Sequence, residues 1–140
     1  LDKRYWLTPR NIYEPLNQEF QFDFDPCPYP KPDGFNAIDI AWGNSNFVNP
    51  PFRKKDGNGL GPTAFVHKAI EQQKLGRSSV LLLPVQSYVN LLLEAGAVPR
   101  SLGRVKWIEV ETGQPYKSPS PTCCFVLRGH NNRMEHTLNK

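Results

Sequence analysis

Cysteine, histidine and methionine are scarce: the 140-residue chain has three, three and one of them. Cys27 stands alone, Cys123 and Cys124 are adjacent in an apolar run, and His67, His130 and His136 are scattered. No CxxC pair and no Cys/His set has the spacing of zinc ligands, so no metal site is expected. Three cysteines cannot build a disulfide framework, which points to a reducing, intracellular compartment. Also missing is any apolar run near the ~20 residues that a membrane-spanning helix needs, so no membrane span is expected. The N-terminal Leu1-Asp2-Lys3-Arg4 is charged rather than apolar, unlike a secretory signal. The absence of an initiating Met suits a trimmed chain or a fragment. With 39% hydrophobic and 21% charged residues the composition is globular, and the length suits one domain, residues 1–140.

Proline, by contrast, is abundant at 14 of 140 residues, about twice the usual share. It clusters at 26, 28, 30 and 32, at 50 and 51, and at 115, 119 and 121, stretches that cannot be ordinary helix. Charge is unevenly placed. Residues 1–60 carry 7 basic and 8 acidic side chains, and residues 61–140 carry 10 and 5. A basic C-terminal half suits a polyanionic partner.

Periodicity places the elements. Thr8-Pro9 reads as a helix start, with threonine as cap and proline in the first turn, and Pro15 is expected to shorten or kink that helix. Phe20-Gln21-Phe22-Asp23-Phe24-Asp25 alternates strictly and predicts a strand, followed by an extended loop from Asp25 to Gly34. Asn46–Val48 predicts a second strand and residues 53–61 a polar loop. Pro62–Leu75 predicts a helix stopped by Gly76. Ser79–Pro84, apolar on both faces, predicts a buried strand of a parallel sheet. Ser87–Ala95 predicts a third helix. Arg104–Val110 and Thr122–Arg128 are expected to pair as an antiparallel hairpin around the Gly/Pro/Ser-rich segment 111–121. The order predicts an α/β fold.

The stretch that carries chemistry is Ser45-Asn46-Phe47-Val48-Asn49-Pro50-Pro51-Phe52. An apolar strand delivers Asn-Pro-Pro-aromatic to its carboxyl end, where α/β sheets place their ligands. An exocyclic amine conjugated into a ring is a poor nucleophile. The Asn49 side-chain carbonyl and the Pro50 backbone carbonyl could accept its two hydrogens and aim its lone pair at a methyl donor. Pro50-Pro51 fixes the backbone beforehand, and Phe52 offers a face on which an extruded base can stack. The competing reading of the same residues is a rigid turn after a strand, with Phe52 in the core.

Asn49-Pro50-Pro51-Phe52 resembles the [DNS]-P-P-[YFW] motif of amino-group methyltransferases that use S-adenosylmethionine (SAM). The wider pattern is similar to small phage-type, Dam-like DNA N6-adenine methyltransferases. Trp6-Leu7-Thr8-Pro9 matches their W-x-T-P, Phe22–Cys27 their F-D-[LF]-D-x-[AC], Asp39–Trp42 with Phe47–Phe52 their tryptophan, strand and N-P-P-[YF] run, and Leu82-Leu83-Pro84 their L-L-P. The resemblance spans residues 5 to 128. It implies a compact Rossmann-like methyltransferase sheet with flanking helices. It also implies a cofactor site lined by Trp6, Thr8, Pro9, Asp25, Pro26 and Cys27, and a catalytic site at Asn49, Pro50, Pro51 and Phe52. Only 23 residues separate Asp25 from Asn49, so either the sheet is abbreviated or the cofactor site is unusual. The implied partner is DNA, with RNA the other polynucleotide the motif allows, and the implied location is the cytoplasm of a bacterial host.

Arg53, Lys54 and Lys55, just beyond the motif, and Lys117 in the second loop are candidates for phosphate contacts. Arg53, Lys54 and Lys55 read equally as a solvated charged loop, and the segment holding Lys117 reads rather as a plain connector. Asp23 and Asp25, two apart, raise the alternative of paired carboxylates. Trp42 reads as core, and Cys123-Cys124 as packing. With no segment left for a separate recognition domain, a partner subunit or a dimer would supply target recognition, unless loops 53–61 and 111–121 do so. A second function class stays open: a degenerate, non-catalytic domain that binds nucleic acid or a partner. It rests on the turn after Asp25, which holds four prolines and no glycine before Gly34.

Overall fold

In the computed structural model, which describes residues 6–51, 61–84, 89–110, 112–117 and 122–130, two strands with unbroken apolar runs carry the architecture. Leu81, Leu82 and Leu83 are all buried, as are Cys124, Phe125, Val126 and Leu127. A strand with no polar face can only sit inside a sheet covered on both sides. Accordingly Ser78–Pro84 and Thr122–Leu127 are the two inner strands of a four-stranded sheet.

In chain order the elements are β1 (Trp6–Leu7), α1 (Arg10–Phe20), β2 (Ser45–Val48), α2 (Pro62–Lys74), β3 (Ser78–Pro84), α3 (Val89–Glu94), β4 (Val98–Gly103), β5 (Lys106–Glu109), β6 (Pro115–Lys117) and β7 (Thr122–Leu127). The larger sheet runs β2-β3-β7-β4. β2 and β3 are parallel, and β7 is antiparallel to both β3 and β4. The smaller sheet is β1-β5-β6, antiparallel throughout. The chain is thus a mixed α/β protein.

Two cores flank the larger sheet. On one face Phe65, Val66 and Ala69 of α2 pack with Val48, Leu81, Leu83, Phe125 and Leu127, and Trp42 joins them. On the other, Leu16 of α1 and Trp107 of β5 pack with Phe47, Val80, Leu82, Cys124 and Val126. Burial of a Leu, Val or Phe side chain is worth about 1.5–3 kcal/mol, so the helices and the small sheet are held chiefly by these side chains. Cys124 is a packing residue as expected, its thiol pushed up to about 11 by burial. Trp42 is core too, its indole N–H donating to the Ala37 carbonyl at 2.9 Å.

Three expectations are corrected. The alternating Phe20–Asp25 segment is not a full strand. α1 runs through Pro15, which neither stops it nor shortens it, to Phe20. Gln21 then turns left-handed (φ 49°), and only Phe24 bridges β2, in parallel with Asn46. Phe22 stacks into one core beside Phe47 while Phe24 meets Phe35 in the other. The alternation therefore serves two cores rather than one face. The C-terminal hairpin does not form either. β5 pairs with β1 and β6, and β7 inserts between β3 and β4. β5 has one exposed and one buried side and suits a covering sheet, whereas β7 needs cover on both faces. β4, not expected from the sequence, contains Pro99. It lies at the sheet edge, where a missing N–H donor costs least.

Candidate functional site

Asn49 follows the last residue of β2, at the carboxyl edge of the parallel pair β2 and β3. Because Phe24 bridges Asn46 in parallel, the Asp25-Pro26-Cys27 turn leaves the sheet at that same edge. Two segments, Asp25 and Asn49 being 24 positions apart in sequence, are therefore neighbours. Asn46 prepares β2 for this: its side-chain oxygen accepts from Gly43 N (2.8 Å) and its amide donates to Gly43 O (3.0 Å) and Ser78 O (2.9 Å). Asp23 secures the same turn by accepting from Ser45 N (3.0 Å) and Asn44 N (3.3 Å). Asp23 is thus committed to backbone, and the paired-carboxylate alternative loses one member.

Pro50, Pro51 and Pro26 are buried, a stiff floor under the edge. The Asn49 amide nitrogen donates to the Thr8 hydroxyl oxygen at 3.1 Å. This brings together one residue expected at the catalytic site and one expected at the cofactor site. Thr8 is not the helix cap predicted for it: the cap position of α1 is Pro9, with no side-chain cap bond. Asn49 Oδ1, the acceptor end of the amide, is buried, so an incoming amine reaches it only as the surrounding chain gives way.

Asp25 closes a local turn by accepting from Cys27 N at 2.8 Å. Its carboxyl is pushed up to about 6, mainly because surrounding protein disfavours the charged form, with the Cys27 N–H opposing. The residue nonetheless keeps solvent access. Burial, aided by the Asp25 charge, pushes the Cys27 thiol well up, so it is no nucleophile near neutral pH. The backbone of Pro26-Cys27 was expected to contact a cofactor. Pro26 and Pro28 carry no N–H, and that of Cys27 is spent on Asp25. This turn cannot cradle a phosphate or carboxylate through backbone donors. What it offers is a poised carboxylate, suited to a cation or to hydroxyl donors.

The raised pKa has a consequence for stability. Folded Asp25 holds its proton to about pH 6, against 3.8 ordinarily. Its contribution is therefore complete below the ordinary value and is lost as pH rises through about 6. Asp25→Asn, always neutral, should escape that loss. Its melting temperature relative to the parent is expected to rise between pH 4 and 7 and then level off. A difference that stays flat over this range would show the carboxyl to be normally solvated.

Of the other residues singled out, Pro9 accepts from Ile12 N and Tyr13 N at the start of α1. Trp6 lies in β1 opposite Glu109. Lys117 lies in β6 opposite Lys106, a register that puts it at the same end of the small sheet as Thr8. Phe52, Arg53, Lys54 and Lys55 fall outside the described residues. Among the described residues no cluster of three His, Cys, Asp or Glu side chains could hold a metal ion, and no helix is long and apolar enough to cross a membrane. A separate cavity of about 190 Å³ opens at the opposite edge of the sheet, lined by Glu19, Phe20, Ser45, Ser78, Val126 and Arg128 among others. Its lining includes none of the residues expected at the catalytic or cofactor site. The Thr8–Asn49 link had no sequence signal, because a hydrogen bond across 41 positions leaves no periodicity.

Comparison with protein-family models and with curated proteins gives no match to this chain.

Proposed function

We propose that this chain is a SAM-dependent methyltransferase acting on the exocyclic N6 amine of adenine in DNA, built on an abbreviated Rossmann-like sheet. The observation that carries the reading is the meeting of Asn49-Pro50-Pro51 and the Asp25 turn at the carboxyl edge of one parallel strand pair. Nucleotide-type ligands favour that position in α/β sheets.

The donor set fits SAM better than a phosphate-bearing cofactor. A carboxylate whose charge the surrounding protein disfavours while solvent still reaches it, and a turn without free backbone donors, suit a ligand with an ammonium, a sulfonium and sugar hydroxyls and no phosphate. Asp25, with Pro9 and the floor at Pro26, would hold it. When bound, SAM supplies an electrophilic methyl group. The chain's own part is to make the amine receptive. Asn49 Oδ1 accepts one N–H and the Pro50 carbonyl the other, which draws the nitrogen lone pair out of ring conjugation. Once the chain around Asn49 Oδ1 has given way to admit the amine, Pro50-Pro51 keeps the backbone of both acceptors fixed, so little further reorganisation is required during the chemical step. Phe52 stacks on the extruded base, and Arg53, Lys54, Lys55 and Lys117 contact flanking phosphates.

Calorimetric titration with SAM, followed by incubation with DNA and mass spectrometry for N6-methyladenine, tests the reading. Binding is expected, stronger at pH 7.5 than at 5.5, because the ligand prefers ionised Asp25 and must otherwise displace its proton. The proline-rich turn favours one other reading, a non-catalytic nucleic-acid- or partner-binding domain. That reading gains if DNA binds in a salt-sensitive way while SAM does not bind at all. Cytosine N4 or RNA adenine as acceptor would appear in the product analysis.

A further inference from the structure

We infer that Thr8 is a positioning residue for the side chain of Asn49. The inference rests on the proposed methyl transfer and deepens it.

Pro50-Pro51 immobilises the backbone beyond Asn49 but not the amide, whose plane can still rotate about its own side-chain bonds. An acceptor that swings is a poor acceptor in a transition state. The missing restraint comes from outside the larger sheet. Thr8 Oγ1 takes the Asn49 Nδ2 hydrogen at 3.1 Å, which leaves Oδ1 as the opposite end of the amide. Thr8 is itself well held. β1 ends one residue before it, paired with β5 (Leu7 opposite Ile108), and Pro9 one residue after it anchors the first turn of α1.

A second observation agrees. A threonine at the cap position of a helix spends its hydroxyl on a free helix N–H, but in α1 that position is Pro9 and Thr8 stands one residue before it. Here the helix takes no side-chain cap, and the hydroxyl is directed to Asn49 instead. The small sheet thereby gains a role beyond covering the core, since it carries the strap that orients the acceptor at the edge of the large sheet. A hydroxyl both donates and accepts, so the same strap would also orient an aspartate at position 49, by donating to it.

Thr8→Val keeps the shape and removes the polar atom, and Thr8→Ser keeps the oxygen. With active wild-type protein, Thr8→Val should lower kcat about 10- to 100-fold. KM for DNA and the calorimetric Kd for SAM should stay within about twofold, and Thr8→Ser should recover most of the rate. The Asn49 side-chain NH2 resonances, assigned against Asn49→Ala, should shift in Thr8→Val. Three results would overturn the inference: an unchanged kcat, unchanged Asn49 resonances, or a SAM affinity weakened tenfold with kcat intact, which would make Thr8 a cofactor contact. Wild-type protein that binds no SAM and methylates nothing would instead sink the functional reading, and this inference with it. The Thr8→Val comparison in an active enzyme sinks the inference alone.

Discussion

Asn49→Ala is expected to abolish methylation of DNA adenine while leaving a folded protein. The substitution removes the one side-chain acceptor at the motif and keeps the Pro50-Pro51 floor. Loss of a single oriented acceptor or donor in a preorganised site typically costs about 100- to 1,000-fold in rate. Here the cost should lie at the upper end, because only the Pro50 carbonyl would remain to hold the amine. Stability should change little. Asn49 is half-buried at a strand terminus, and the alanine takes up less space. Asn49→Asp is the informative companion, since it keeps an acceptor and can still receive a bond from Thr8. It is expected to keep more activity than alanine. The measurement is N6-methyladenine formed per unit time, with thermal melting of each variant. An Asn49→Ala protein that melts normally and methylates at the parental rate would remove the motif from the mechanism.

The largest effect on stability is expected far from that edge. In Gly129→Ala the added methyl group would lie 2.3 Å from the carbonyl carbon of Gly76, 2.4 Å from its oxygen and 2.6 Å from the nitrogen of Arg77. All three are backbone atoms and cannot swing aside. Gly76 lies in the turn two residues beyond α2, with φ of 84°. The chain beyond β7 is stitched to that turn. Gly129 N donates to Ser78 Oγ at 2.8 Å, His130 N to Gln73 O at 2.8 Å, and the buried Gln73 amide to Arg128 O at 3.2 Å. Relieving the clash means breaking this seam, so a cost of about 3 kcal/mol or more is expected. That corresponds to a fall of about 10 °C in Tm. His67→Ala, on the exposed side of α2, serves as the control and should melt near the parent. A Gly129→Ala protein melting with the control would show that the two backbones do not approach this closely.

Much of the fold was legible in sequence, and its errors share one cause. α2, β2 and β3 were placed to within a residue because each has a signal confined to itself: Pro62 at a helix start, Gly76 past its end, an unbroken apolar run from Val80 to Leu83. Where the reading failed, a residue's partner lay elsewhere in the chain. Phe20–Asp25 has strand periodicity, but Asp23 is spent on Ser45 and Asn44, and the phenylalanines divide between two cores. β5 and β7 are close in sequence, yet β7's apolarity on both faces places it between β3 and β4.

The candidate site divides along the same line. Asn49-Pro50-Pro51 at the end of a buried strand is local information, and so is the poverty of backbone donors at Pro26 to Pro28. Their adjacency is not local. It depends on Phe24 meeting Asn46 in parallel, a contact that exists only once the sheet has assembled. The same holds for Thr8, which by sequence is a helix cap and by structure the partner of Asn49. The sequence alone determined which chemical groups are available and which segments are stiff, because side-chain identity and proline geometry need no neighbours. Only the tertiary structure decided which groups face one another, because hydrogen bonds and desolvation act over a few ångströms of space regardless of separation along the chain.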